Sequence, residues 1–285
     1  MNGQPFRVHD PSEPTAPLVV ASPHSGRDYG DAFLVRTVLD RRAIRSSEDA
    51  YVDLLLDDVG SLGIPVLTAR VPRAVIDLNR APEELDPAVI RDVPRGATNP
   101  RITSGLGVIP RVVSQGRAIY RGKISRSEAQ ERIETVWRPY HDRLADLMAR
   151  ARSRFGLAVL LDVHSMPHEA IEGTAGPGGT PEIVLGDRFG ASADPGLMDL
   201  VEAVFIDAGL RVARNAPFAG AYMTQTYGKP ADRMHAIQIE IDRALYMDET
   251  SLEPNDRFDA MQATVTRAMA RIRDALRPSE DIAAE

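Results

Sequence analysis

Residues 157–167 read LAVLLDVHSMP, an aliphatic run that ends in Asp162, His164 and Ser165. A run this short and this apolar is how a buried strand looks, and the polar residues at its end are delivered to the edge of an α/β sheet. Two more segments have the same character. Leu18 to Ala21 is apolar and is followed at once by Ser22-Pro23-His24-Ser25-Gly26, and Ile237 to Asp242 alternates apolar with polar residues. Two histidines and a carboxylate at strand ends, far apart in the chain, point to one site assembled by the fold. Metal-assisted hydrolysis is the chemistry that fits them best.

Helical and strand patterns alternate between these segments. Helices are predicted over Asp31 to Leu39, from Tyr51 to Val59, over Asp194 to Ala208 and over 255–277. Ser46 followed by Asp49 reads as a capped start for the second, which Gly60 and Gly63 end. Ser125 with Glu128 reads as a capping box. Ile133, Val136, Trp137, Tyr140, Leu144, Leu147 and Met148 then recur on one face, with Pro139 expected to kink the helix. Further strands are expected at Ile64 to Ala69, Ile183 to Leu185 and Ala236 to Ile241.

Residues 1–17 carry four prolines and read as an irregular lead-in; 172–181 reads as loop, and the last residues as a charged tail. Residues 80–125 are rich in Pro and Gly. They are either a cover over a site or a surface excursion, and the sequence favours neither. The whole predicts a single-domain, three-layer α/β/α sandwich with a mixed sheet. Ligands in such folds bind beyond the strand C-terminal ends, where His24, Asp162, His164 and Glu240 are placed.

The 285 residues suffice for one large core. Lys and Arg number 34 against 41 Asp and Glu, a net charge of −7, which argues against a nucleic-acid partner. The chain has no cysteine, so any metal must be held by His, Asp or Glu. Its start lacks the apolar core of a signal peptide, and no stretch approaches the roughly 20 apolar residues of a membrane span. A cytoplasmic protein without a membrane partner is expected; the oligomeric state is not legible.

His24 and His164 are candidate metal ligands or bases, against the blander alternative of loop or strand-end histidines bonded to backbone. Asp162 lies two residues before His164, on the same side of a strand, and could orient an imidazole. His168 would complete a helical pair with His164, but Pro167 stands in the way. Glu48 or Asp49 could add the carboxylate that two histidines need for a three-ligand zinc; spacing does not choose between them. Glu240 lies between two isoleucines, where a carboxylate needs a partner or a task, and general-base work suits it. Asn79, Arg80 and Arg243 could bind a carboxylate, the arginines through a bidentate fork, which points to a small anionic substrate. No P-loop, GxGxxG, HExxH or GxSxG motif is present.

Taken together, SPHSGRDY at 22–29, SSEDAYVDLL at 46–55, VPRAVIDLNRAP at 71–82, LDVHSMP at 161–167 and QIEIDRALYMDE at 238–249 resemble the N-formylglutamate amidohydrolase family. That family is distantly similar to zinc carboxypeptidases and aspartoacylases, with a phosphorylase/hydrolase-like fold. The resemblance implies zinc-dependent hydrolysis of N-formyl-L-glutamate to formate and L-glutamate, late in a route of histidine degradation. It implies His24, Asp49 and His164 as metal ligands, Glu240 as catalytic base, and Asn79, Arg80 and Arg243 as substrate-binding residues. One departure stands out: Arg27 occupies the place where zinc carboxypeptidases carry the Glu of an HxxE motif, so the carboxylate must come from the later segment. The alternatives are a zinc deacylase or carboxypeptidase acting on another N-acyl amino acid or small peptide, and a non-catalytic metal-binding or interaction protein.

Overall fold

The computed structural model describes residues 3–94, 99–174 and 179–278. The chain forms two compact units. The charged tail beyond 278 and part of the loop expected at 172–181 lie outside the described residues.

The larger unit comprises 8–21, 54–67 and 145–285 and carries most of a seven-stranded sheet. Its strands are β1 (Phe6–His9), β2 (Leu18–Ser22), β3 (Val66–Ala69), β4 (Ala158–Met166), β5 (Ile183–Gly186), β6 (Val212–Arg214) and β7 (Met234–Asp242), in the order β1-β3-β2-β4-β7-β5-β6. β2, β4 and β7 pair in parallel, whereas β5 runs antiparallel to β7, so the sheet is mixed. Every residue of β4 is buried, as are all but the first of β7. That is why β4 reads as an aliphatic run: a central strand covered on both faces selects Val and Leu at every position not reserved for chemistry. The helix Pro195–Asp207 is capped by Asp194, whose Oδ1 accepts the Gly196 N–H at 2.8 Å. It packs on the helix Phe258–Leu276, which buries Met261, Val265, Ala268, Met269 and Ile272. The fold is an α/β sandwich built on a mixed sheet.

The smaller unit comprises 1–7, 22–53 and 68–144. Several local expectations fail here for identifiable reasons. The first helix stops at Leu34 because Val38 N–H and the Thr37 hydroxyl turn to the Ile119 carbonyl. Ser46 is not a cap: it lies inside the 3₁₀ turn Ala43–Ser47 and donates to the Ala43 carbonyl. Tyr51 takes a left-handed backbone (φ 65°), and helix begins only at Val52. Ser125 does cap its helix by accepting from Glu128 N–H, while the Glu128 carboxylate pairs with Arg36 and Arg132. Pro139 lies in the first turn of the helix Arg138–Phe155. A π turn over Ile133–Trp137 joins Arg126–Arg132 to Arg138–Phe155 and absorbs the missing hydrogen bond. The 80–125 stretch holds only the turns Pro100–Thr103 and Ser114–Gly116 among the described residues, with single bridges such as Ile90 to Ile124.

Gly26 shows how tightly the turn after β2 is held. A Cβ there would lie 2.3 Å from the Val71 carbonyl oxygen and 2.6 Å from its carbon. Backbone cannot yield as a side chain tip can, so Gly26→Ala should destabilise by about 2 kcal/mol or more. The check is a thermal melt, where a drop of several degrees is expected; an unchanged midpoint would refute the close approach.

Candidate active site

The turn after β2 carries His24 into the smaller unit, where its two ring nitrogens meet different partners. Nε2 lies 2.7 Å from Asp77 Oδ1, and Nδ1 lies 3.5 Å from Asp49 Oδ2. The first is a hydrogen bond, in which a ring N–H at Nε2 donates to the carboxylate. The second is longer than a hydrogen bond, the spacing expected of two ligand atoms each about 2 Å from a shared ion. Glu48 faces elsewhere: its carboxylate accepts the Tyr29 hydroxyl at 2.7 Å and Arg45 Nε at 3.0 Å. Of the two acids left open by the sequence, Asp49 is the one beside His24.

Asp77 was given no role in the sequence, yet it is a hub. Its Oδ1 also accepts Asn79 N–H at 2.9 Å, and its Oδ2 accepts Arg73 Nη2 at 2.9 Å, with Arg80 Nη2 at 4.0 Å. Burial works to raise its pKa, but Arg73, His24 and Arg80 overcome that and hold the carboxyl well below the usual range. Arg80 is itself pinned, with Nε on the Leu106 carbonyl and Nη1 on the Asn79 carbonyl. The segment is gripped from behind by the long helix. Trp137 Nε1 donates to the Arg80 carbonyl at 2.9 Å and His141 Nε2 to that of Leu78 at 2.8 Å. Burial pushes the His141 pKa down to about 4, so the ring is neutral and donates.

The larger unit holds the other half of the candidate residues. The β4–β7 register sets His164 beside Glu240 and Asp162 beside Gln238. Residues two apart share a face, so all four side chains occupy one side of the sheet centre. His164 Nε2 lies 3.0 Å from Asp162 Oδ2, the orienting role expected of Asp162. Gln238 Nε2 donates to Glu240 Oε1 at 2.9 Å. Gln238 was missed in the sequence, though its position two before Glu240 was the available signal. Arg243 is buried at the end of β7, where Nε donates to Ser165 Oγ at 3.1 Å and Nη1 lies 3.9 Å from Glu249. His168 is not a partner of His164. Its Nδ1 pairs with Asp242 at 2.8 Å, an interaction that raises its pKa.

The structure thus brings His24 and Asp49 together in one unit, and Asp162, His164, Gln238 and Glu240 in the other. His24 and Asp49 are buried in the smaller unit and His164 in the larger, and each offers an atom that can ligate a metal ion. In both histidines Nε2 lies beside an aspartate oxygen, Asp77 for His24 and Asp162 for His164.

The pattern of the N-formylglutamate amidohydrolase family matches residues 16–247. An N-formylglutamate deformylase of Pseudomonas putida is 32% identical over 232 residues, 79% of each chain. One from Pseudomonas aeruginosa is 34% identical over 233 residues, covering 79% of this chain and 80% of its own. The crystal structure of an N-formylglutamate amidohydrolase from Ralstonia eutropha superposes with a TM-score of 0.89 at 37% identity, over 96% of this chain and 99% of that one. The gene product Atu2144 of Agrobacterium tumefaciens shares the fold at 18% identity, with a TM-score of 0.67 over 96% of both chains. These likenesses, over the fold and polar groups just described, define an enzyme, a hydrolase acting on an amide. The chain belongs to the N-formylglutamate amidohydrolase family. Among the described residues no helix is long and apolar enough to cross a membrane.

Proposed function

We propose that this protein hydrolyses N-formyl-L-glutamate to formate and L-glutamate, with a zinc ion held by His24, Asp49 and His164. The Pseudomonas deformylases, at 32% and 34% identity, carry the choice of substrate. The donor set supports the metal: two imidazoles, each with Nε2 beside an aspartate, and one carboxylate beside Nδ1 of the first of them. Such a set accepts zinc or another transition metal, and the chain has no thiol to compete. When bound, the ion would polarise the formyl carbonyl and make water a better nucleophile at neutral pH.

The chain's own groups do the rest. Glu240 takes the proton from the attacking water and returns one to the departing amine. Gln238 fixes the Glu240 carboxylate by donating to Oε1. Asn79, Arg80 and Arg243 hold the carboxylates of the glutamate moiety, a task for which pinned guanidinium groups lose little freedom. Support for this comes from Arg80 and Arg243, whose forks are already anchored to backbone and to Ser165.

The test is formate release from N-formyl-L-glutamate by chelator-treated protein, before and after zinc is restored. Zinc-dependent turnover is expected. Turnover of N-acetyl-L-glutamate but not of the formyl compound would overturn the substrate. Arg80→Ala should erase most of the preference for N-formyl-glutamate over N-formyl-glutamine. An unchanged preference would remove Arg80 from carboxylate binding.

A further inference from the structure

Glu48 is 2% exposed and sits directly before Asp49, yet the proposed chemistry gives it no task. We infer that Glu48 and Tyr29 are positioning residues that set the strength of zinc binding by fixing the His24–Asp49 pair. This inference rests on the zinc reading above.

The argument is geometric. Glu48 has an extended backbone, with φ −65° and ψ 145°. In extended chain, successive side chains leave on opposite sides. Locking Glu48 on one side therefore aims Asp49 to the other, toward His24. Three bonds supply the lock: Tyr29 donates its hydroxyl proton to Glu48 Oε1 at 2.7 Å, and Arg45 Nε reaches Oε2 at 3.0 Å and Oε1 at 3.3 Å. Tyr29 belongs to the turn that carries His24, whereas Arg45 belongs to the one that carries Asp49. A second tie crosses the same two turns, from Asp49 N–H to the His24 carbonyl at 3.1 Å. The two ligands are thus joined through backbone on one side and through Tyr29–Glu48 on the other.

Tyr51 shows that the arrangement is held against a local cost. A bulky residue at φ 65° is strained, and such strain persists where surroundings over-determine it. The Arg27 and Arg45 guanidinium groups lie 5.8 and 6.0 Å from the centre of its ring. Arg27 is held in turn by Asp53 at 2.7 Å. Arg45 therefore serves Glu48 and Tyr51 at once.

The experiment is a competition titration of zinc against a chelator, on the full-length metal-free protein and its variants. Tyr29→Phe removes one hydroxyl and should weaken zinc binding about 10-fold, the scale of outer-sphere effects. Glu48→Ala should weaken it more, and Glu48→Gln, which keeps an acceptor for Tyr29, should recover part of the loss. At saturating zinc, the kcat of Tyr29→Phe should stay within about threefold of wild type, because the residue acts through ligand placement. Tyr29→Phe and Glu48→Gln binding zinc as tightly as wild type, while His24→Ala does not, would overturn the inference and leave the zinc site standing. So would a lower melting temperature of the metal-free variants with unchanged zinc affinity, since that is the signature of a structural role. If wild type and His24→Ala take up zinc equally, the site reading falls and the inference with it.

Discussion

Glu240→Gln should lower kcat by about 10²- to 10⁴-fold, the usual worth of a positioned general base. The substitution is close to isosteric, and Gln238 Nε2 can still donate to the amide oxygen at position 240. Packing in β7 is therefore preserved, with Ile239 and Ile241 in place on the other face. What is lost is the ability to accept a proton. Zinc content and melting temperature should remain those of wild type, which separates the chemical loss from damage to the fold. Steady-state kinetics on N-formyl-L-glutamate decide it; a loss of less than about threefold would exclude Glu240 from proton transfer.

Asp77→Asn has the second-largest expected effect and acts on two quantities at once. Both His24 Nε2 and Asn79 N–H converge on Oδ1, so the oxygen of the introduced amide must stay there. Its NH₂ is then forced against Arg73, donor facing donor, and the buried counter-charge of Arg73 and Arg80 is gone. Breaking a buried pair in this way costs about 3–5 kcal/mol. Zinc affinity should fall about 10- to 100-fold, because a neutral partner no longer strengthens His24 as a ligand. The pH dependence follows from the depressed carboxyl. A lowered folded-state pKa contributes stability in full above the unfolded value of about 3.9, and that contribution is lost as pH falls through the folded value. The gap between wild-type and variant melting temperatures should be flat from about pH 5 to about 8 and close only in strong acid. A gap that closes near pH 6 would refute the assignment.

The residues that exit buried strands were legible because burial on both faces writes an aliphatic run, against which a polar residue is conspicuous. His24, Asp162, His164 and Glu240 stand out that way; Asn79, Arg80 and Arg243 stand out as carboxylate-binding groups, and the family motifs choose Asp49 over Glu48. Asp77 stayed hidden because Arg73 four residues earlier makes the pair look like an ordinary surface ion pair. Only the tertiary approach of His24 reveals its role. Gln238 was read as one tooth of an alternating strand, since periodicity gives the face but not the partner across it. The capped helix predicted at Ser46 failed because the S-x-x-D pattern has more than one solution. Tyr29 and Arg45 pull Glu48 into an extended backbone there, and the helix must wait until Tyr51 has turned the chain. The 80–125 stretch could not be read because tertiary bonds, not local pattern, hold it. Examples are Asp77 N–H to the Val108 carbonyl and Ile124 N–H to that of Val89.

The π turn at Ile133–Trp137 works as a phase shifter. Arg132, just before it, holds the Val75 carbonyl at 2.9 Å, whereas Trp137 and His141, at its end and beyond, hold those of Arg80 and Leu78. In α geometry five residues turn the chain through about 500°, which would leave positions 132 and 137 about 140° apart around the axis. Bonding from i to i+5 winds more slowly and swings them toward a common side. One surplus residue thus lets a single helix clasp both ends of the 75–80 segment. Removing it would yield a more regular helix whose two halves grasp in different directions, loosening Asp77 and Arg80 without touching either.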